Sequence, residues 1–446
     1  MPQQILRMNS IFLNRCQALS IFMFLAPTLM AAALPANADE FEPEKLTVNA
    51  SELVPKELLT GPHYRVDESA VIEGFMSQFT ISSDFGPFTA NSNEHLHILV
   101  GEIAAIAALQ DMSKTAAFTE ALANSAAKPV KVIANVVEQP VETVKGIPQG
   151  IGRLFKRTSR AVSDGAEKLQ EVSEGEQDSG GGDDANSPSA TTKTVNAGKD
   201  FTKNQLGVNS AIRQLSKELN VDPYSTNQVL QKEMSSIAWA MAAGSFATSQ
   251  IVKMPSVVGD IGQLNDLVWD TDPLDLQLLN EKILGEMGAD EALIKAFYDN
   301  AFFTITLRTR LVGSLNQLSN AKGRTNLIID AADAKSPAEA RLYSQIAETL
   351  VAYEKTRSPI SKLYSGIGLP FALAESGTMV LIVPVDYLNW TQNVKDVARR
   401  TSNEMDQAAS NNGKEAWVHG RISDTAKAGL SAIGWKLYDQ GPDRLR

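Results

Sequence analysis

Met379-Val-Leu-Ile-Val-Pro-Val-Asp-Tyr387 is the stretch on which the fold class turns. It is a continuous apolar run bounded by turn-forming residues, suited to a strand buried on both faces. Beyond it a polar helix is expected from Gln392 to about Asp406, and Ala416-Trp-Val-His419 reads as a second strand. Ser423-Asp424 then caps a helix carrying Leu430 and Ile433, Gly434 ends it, and Trp435 to Tyr438 supplies a last strand. Residues 359–446 therefore read as a small α/β module.

Upstream the period changes. Between 201 and 358 the apolar residues recur at helical spacing behind recognisable start signals. One helix closes over Gln214 to Leu219; Asp222-Pro223 with Ser225 and Thr226 opens another through Leu230, Met234, Ile237 and Met241. Thr271-Asp272-Pro273 opens a third, Gly288-Ala-Asp-Glu291 a fourth, and Ser336-Pro337 a fifth with Leu342, Ile346 and Leu350 on one face. This is a helical domain, in the form of a bundle or array. Residues 171–200, with Gly180-Gly-Gly-Asp-Asp-Ala-Asn-Ser-Pro-Ser189 at their centre, hold almost nothing that could fill a core, and are expected to be a disordered linker.

At the other end, Val71 to Ile81 alternates as a strand does, and Ser83-Asp-Phe-Gly-Pro87 turns the chain into a second short strand through Phe88. Asn91 to Asn93 then offer caps for a helix from Glu94 to Leu109. Residues 61–127 read as a hairpin with a helix laid over it, and 39–60, polar and acidic with Pro43 and Pro55, as a leader that is loose or draped on the body. The whole is expected to be α+β and predominantly helical: an N-terminal β-hairpin plus helix module, a central helical bundle, and a C-terminal small α/β module.

Residues 1–38 have the pattern of a cleavable export signal. Arg7 and Arg15 precede the apolar run from Ala18, and Ala36-Asn37-Ala38 places small residues where a signal peptidase cuts. Pro27 and Pro35 leave that run short of the ~20 residues a spanning helix needs. Cys16, the only cysteine, falls within the signal, so cleavage leaves 408 residues without a thiol. The expected compartment is outside the cytoplasm: periplasmic or secreted, either free or peripheral to a membrane. Loss of the two arginines takes the net charge from -11 to -13, which argues against nucleic acid as a partner.

Against this acidic background, residues 128–160 carry a charge of +5. On a wheel at 100° per residue, Val130, Ile133, Val136, Val137, Val141, Val144, Ile147, Ile151, Leu154 and Phe155 fall within roughly 140°, and only Val132 strays. Lys128, Lys131, Lys145, Arg153, Lys156, Arg157 and Arg160 occupy a separate arc of roughly 120°. Pro140 and Pro148 divide the stretch into short kinked helices with a common face. An apolar face opposite a basic one suits an anionic membrane surface, with each Lys or Arg worth about 1 kcal/mol there. It equally suits an acidic protein partner, or an arm packed on its own body. Lys128, Lys131, Lys145, Arg153, Phe155, Lys156, Arg157 and Arg160 are the expected binding residues, within an arm spanning 128–170.

Signals for chemistry are weak. The sequence has four histidines. His95 and His97, the close pair, diverge on a helix and are expected to be solvated, and His419 is expected to bond a backbone carbonyl. Asp84-Phe85-Gly86 is a turn rather than a kinase motif, and the Ser-x-x-Lys matches at Ser125 and Ser319 lack the partner motifs of penicillin-recognising enzymes. No phosphate loop, zinc helix or nucleophile elbow occurs. Asp386 ends the best strand, where α/β folds often keep functional carboxylates, but a helix cap is the expected role. No cofactor, metal or catalytic residue is assigned. The expectation is a non-catalytic envelope protein, structural or interacting, and the rival is an exported hydrolase with dispersed carboxylates.

Overall fold

The computed structural model describes residues 41–116, 118–120, 207–242, 262–366 and 368–445. They combine helices and sheets, so the chain is mixed α and β.

The N-terminal sheet is antiparallel throughout. Its strands are β1 (Lys45–Asn49), β2 (Thr60–Gly61), β3 (Tyr64–Val66), β4 (Ser69–Glu73), β5 (Met76–Ser83) and β6 (Gly86–Ala90), ordered β1-β4-β5-β3-β2 with β6 also on β5. Along β5, Ser77, Phe79 and Ile81 are buried while Gln78, Thr80 and Ser82 are exposed, the signature of a sheet with one covered face. That face packs against helix α1 (Asn93–Ser113) through Leu96, Leu99, Val100 and Ile103. Burial of Phe79 and Ile81 contributes about 1.5–3 kcal/mol apiece.

Two expectations change here. The 39–60 leader is neither loose nor merely draped where it is described, because Lys45–Asn49 pairs along its full length with β4. The alternating run Val71–Ile81 is not one strand but two, since Glu73 faces Met76 across a two-residue turn at Gly74 and Phe75. Both turn residues have positive φ, +58° and +68°, as a tight type I′ hairpin requires. Asn-Gly or Asp-Gly usually announces such a turn, whereas Gly-Phe does not.

The far end of α1 packs on the helix over 207–219, α2, and on α3 (Gln228–Ala242), with Ile106, Leu109, Leu215, Leu230 and Met234 at the centre. There follow α4 (Gly262–Asp270), α5 (Pro273–Glu286), α6 (Glu291–Asp299), α7 (Ile305–Gln317), α8 (Arg324–Ala332) and α9 (Pro337–Thr356). Asp272, Asp290 and Ser336 cap α5, α6 and α9, accepting from Leu274, Leu293 and Glu339 N–H. For α3 the cap is Asn227, whose Oδ1 accepts from Val229 and Leu230 N–H, rather than Ser225 or Thr226. α7 starts behind Thr304, whose hydroxyl accepts from Leu307 N–H, and α8 behind Gly323 at positive φ, neither of them among the expected start signals.

The C-terminal sheet is mixed. β7 (Ile360–Tyr364), β8 (Phe371–Ala374) and β9 (Thr378–Val383) run antiparallel, then β11 (Gly413–Val418) and β13 (Trp435–Tyr438) continue parallel to β9, in the order β13-β11-β9-β8-β7. The connections are α10 (Gln392–Ala408) and α11 (Asp424–Ala432). The strand order advances in one direction, so two crossovers of the same hand put both helices on one face. They meet Met379, Leu381 and Val383 there, while Val380, Ile382 and Trp417 face the layer containing α7 and α9. Every residue of β9 after Thr378 is buried. Beyond β9 and β11, two short strands, β10 (Tyr387–Leu388) and β12 (Arg421–Ile422), prolong the parallel pairing.

Among the described residues one helix, α1, has the length and apolarity of a membrane span. Its burial against the sheet and against α2 and α3 accounts for that composition.

Candidate functional site

Parallel strands of an α/β sheet commonly hold ligands in the crevice beyond their carboxyl ends. In this chain Asp386 and His419 occupy that position, after β9 and β11. The β4–β5 hairpin tip reaches it. Phe75 packs on the C-terminal core, and its carbonyl accepts from the N–H groups of Asp386 and Tyr387 at 3.1 and 3.2 Å. A bulky residue at positive φ is uncommon, and the docking contacts hold it there. Gly420 lies so close to the Asp386 carbonyl that a Cβ could not be accommodated.

The Asp386 carboxylate accepts from Ser77 N–H at 2.8 Å and from Asn93 N–H at 3.0 Å. It is thus a helix cap, but for α1, which lies nearly three hundred residues earlier in the chain, while Ser92 caps the same helix locally through His95 N–H. Burial pushes the Asp386 carboxyl up to about 6 although both N–H groups favour its ionised form.

In the first turn of α1, Glu94 meets the helical layer. Arg310 of α7 grips Glu348 of α9 with two bonds of 2.6 and 2.8 Å, and its other contact reaches Glu94 at 3.4 Å. Gln345 donates to the second oxygen of Glu94 at 2.8 Å. Burial works against the Arg310 charge, yet the two carboxylates outweigh it and hold the guanidinium protonated. The bidentate fork is the geometry that arginine, and not lysine, supplies.

His419 completes the arrangement. Its Nε2 lies 2.8 Å from Thr349 Oγ1, and the hydroxyl proton of Thr349 goes to the Gln345 carbonyl at 2.7 Å. The Thr349 oxygen therefore accepts, and Nε2 carries the imidazole proton. Burial lowers His419 to about 4, so it is neutral at pH 7. The expected carbonyl partner is replaced by a hydroxyl.

His95 is not solvated as expected. Its ring is largely covered, Nδ1 accepts from Asn91 N–H at 3.2 Å, and burial together with Arg341 lowers it to about 4 against the opposing pull of Glu94. The helix begins one residue before the expected start and its first turn faces α9, which a one-dimensional pattern does not reveal.

Two acids and a histidine thus converge at the mouth of a parallel sheet, and each is engaged by the fold. The hairpin tip and the N-terminus of α1 fill the crevice, so the chemistry of this joint is docking of one part of the chain on another. Two surface depressions, of about 360 and 460 Å³, lie elsewhere: one is lined by Asn49, Glu52 and Glu68, the other by Lys427, Trp435 and Lys436. Among the described residues no cluster of three metal-ligating side chains occurs. The expected binding residues Lys128, Lys131, Lys145, Arg153, Phe155, Lys156, Arg157 and Arg160, with the rest of the arm and the 171–200 linker, lie outside the described residues. No protein family, curated protein or solved structure matches the chain.

Proposed function

We propose that this is an exported, non-catalytic component of the cell envelope, whose basic amphipathic arm over 128–160 engages an anionic membrane surface or an acidic partner. The observation that carries the reading is the separation of seven Lys and Arg residues from ten apolar residues on that arm, within a chain of net charge -11. The signal pattern of residues 1–38 supports export. The titratable groups that converge at the mouth of the parallel sheet, Glu94, Asp386 and His419, support a non-catalytic body because their hydrogen bonds go to other parts of the fold. In this reading the N-terminal hairpin-and-helix module, the helical domain and the α/β module form the body that presents the arm.

The test is co-sedimentation of residues 39–446 with anionic and with neutral liposomes, at low and high salt, beside the same protein lacking 128–160. Binding to anionic vesicles alone, weakened by salt and lost with the deletion, is the expected result. If both proteins stay in the supernatant under all conditions, the membrane half of the reading fails and capture of acidic proteins on the arm decides the other half.

A further inference from the structure

α1 places a glutamate in its buried stripe: Glu102 is 3 % exposed, between Leu99 and Ile106. Its two oxygens accept from the Ser225 hydroxyl and from Asn227 Nδ2, the latter at 2.9 Å. Both partners belong to the loop 220–227 that joins α2 to α3. Asn227 also faces the other way, since its Oδ1 accepts from Val229 and Leu230 N–H at 3.1 and 3.3 Å and so starts α3. Ser225 Oγ in turn accepts from Asn227 N–H at 3.0 Å. A carboxyl on one helix therefore positions the cap of another.

Both hydrogen-bond partners of Glu102 are neutral. The charged groups facing it are Asp222, from the same loop, and Arg341, from α9. Asp222 is itself taken up by Thr306 Oγ1 at 2.6 Å and by Tyr224 N–H at 2.8 Å, with Arg310 of α7 nearby. Tyr224 faces Arg213 of α2 and Asp272. Buried charge is tolerated when paired and hydrogen-bonded, as Arg310 is with Glu348. Glu102 has hydrogen bonds from neutral groups, and the charges facing it oppose each other, Asp222 against ionisation and Arg341 in favour of it.

We propose that Glu102 is a proton-controlled latch: its protonated carboxyl fastens loop 220–227 and the start of α3 to α1, and loss of that proton to solvent loosens them. In the fastened state the carboxyl O–H donates to Ser225 Oγ, and the other oxygen keeps the bond from Asn227. In the loosened state the carboxylate is hydrated and Asn227 no longer holds its place under α3. Burial pushes the Glu102 carboxyl up to about 7 from an ordinary value near 4.5, and Asp222 adds to the rise while Ser225, Asn227 and Arg341 oppose it. The ionised form is thus the one the docked loop disfavours. Docking is strongest below the ordinary value, weakens as pH rises towards 7, and levels off above that. This device is independent of the arm and of any ligand.

The experiment is hydrogen–deuterium exchange on the full chain at pH 5.5 and pH 8, corrected for intrinsic exchange rates, following peptides over 220–242. In the wild-type protein, opening at pH 8 is expected to exceed that at pH 5.5 by about tenfold or more. Glu102→Gln mimics the protonated carboxyl, with its NH₂ donating to Ser225 and its oxygen accepting from Asn227, and is expected to open equally little at both values. Equal protection of the wild type at the two values overturns the proposal. So does a Glu102→Gln protein that retains the wild-type difference, because another group, such as Asp222, is then titrating. Should Glu102→Gln not fold, Ser225→Ala decides: it removes the acceptor of the carboxyl proton, so protection at pH 5.5 must fall and the difference between the two pH values must narrow, and an unchanged difference refutes the latch.

Discussion

The two sheets of this protein solve the problem of burial in opposite ways. The N-terminal sheet is antiparallel and covers one face, so β5 alternates between buried and exposed residues from Ser77 to Ser82. The C-terminal sheet carries helices on both faces, and β9 is buried at each position from Met379 to Val383. The former is a surface leaning on one helix, and the latter is a partition between two cores. Tolerance to substitution should therefore follow a period of two in the first and disappear in the second.

The largest effect that bears on this contrast belongs to Trp417, fully buried in the partition. It stacks on Tyr438 at 3.9 Å between centroids and meets the Tyr353 ring edge-on at 5.7 Å. Trp417→Ala is expected to cost about 3–5 kcal/mol in chemical denaturation, or to prevent folding. A loss below about 1 kcal/mol would mean that the face towards α9 is not a packed core.

Neighbouring pairs sharpen the contrast. Val380→Ala and Leu381→Ala point to opposite faces of β9 and should both destabilise, by about 1–4 kcal/mol. Phe79→Ala and Thr80→Ala on β5 should differ, with a loss of about 3–5 kcal/mol for the first and within about 0.5 kcal/mol for the second. Equal losses in the β5 pair would break the comparison.

The smallest effect concerns pH. His419 is buried and neutral, held near 4 by burial, while an unfolded histidine titrates near 6.5. Its contribution is complete above 6.5 and is lost as pH falls towards 4. His419→Gln, which can still donate to Thr349, should reduce the stability lost between pH 7.5 and pH 5 by about 1–2 kcal/mol, read from denaturant midpoints. Asp386 and Glu102 titrate in the opposite sense, so the comparison with wild type, not the absolute slope, is the informative quantity.

Much of the local structure was legible in the residues. The apolar run at Met379, the caps at Asp272, Ser336 and Ser423, and the stop at Gly434 each appear as elements or boundaries where their chemistry places them. Caps and periodicity act over three or four neighbours, and a linear reading captures interactions of that range. The turn at Gly74-Phe75 escaped because its unfavourable backbone is supported by contacts with Asp386 and Tyr387, from the far end of the chain. β1 was hidden for a related reason: Leu46 and Val48 alternate with Lys45, Thr47 and Asn49, but so short and half-exposed a run forms a strand only when β4 lies beside it.

For the candidate site the division is sharper. The sequence marked Asp386 as a cap or functional carboxylate, and set out the charge segregation of the 128–160 arm, because position after a strand and spacing on a helix are local properties. Only tertiary structure decided that Asp386 caps a helix from the opposite end of the chain, that Arg310 joins Glu94 to Glu348, and that Glu102 faces Ser225 and Asn227. Each of these bonds links residues far apart in the chain, and its strength depends on exclusion of water by elements packed around it. A list of residues in order contains neither the distance nor the dielectric.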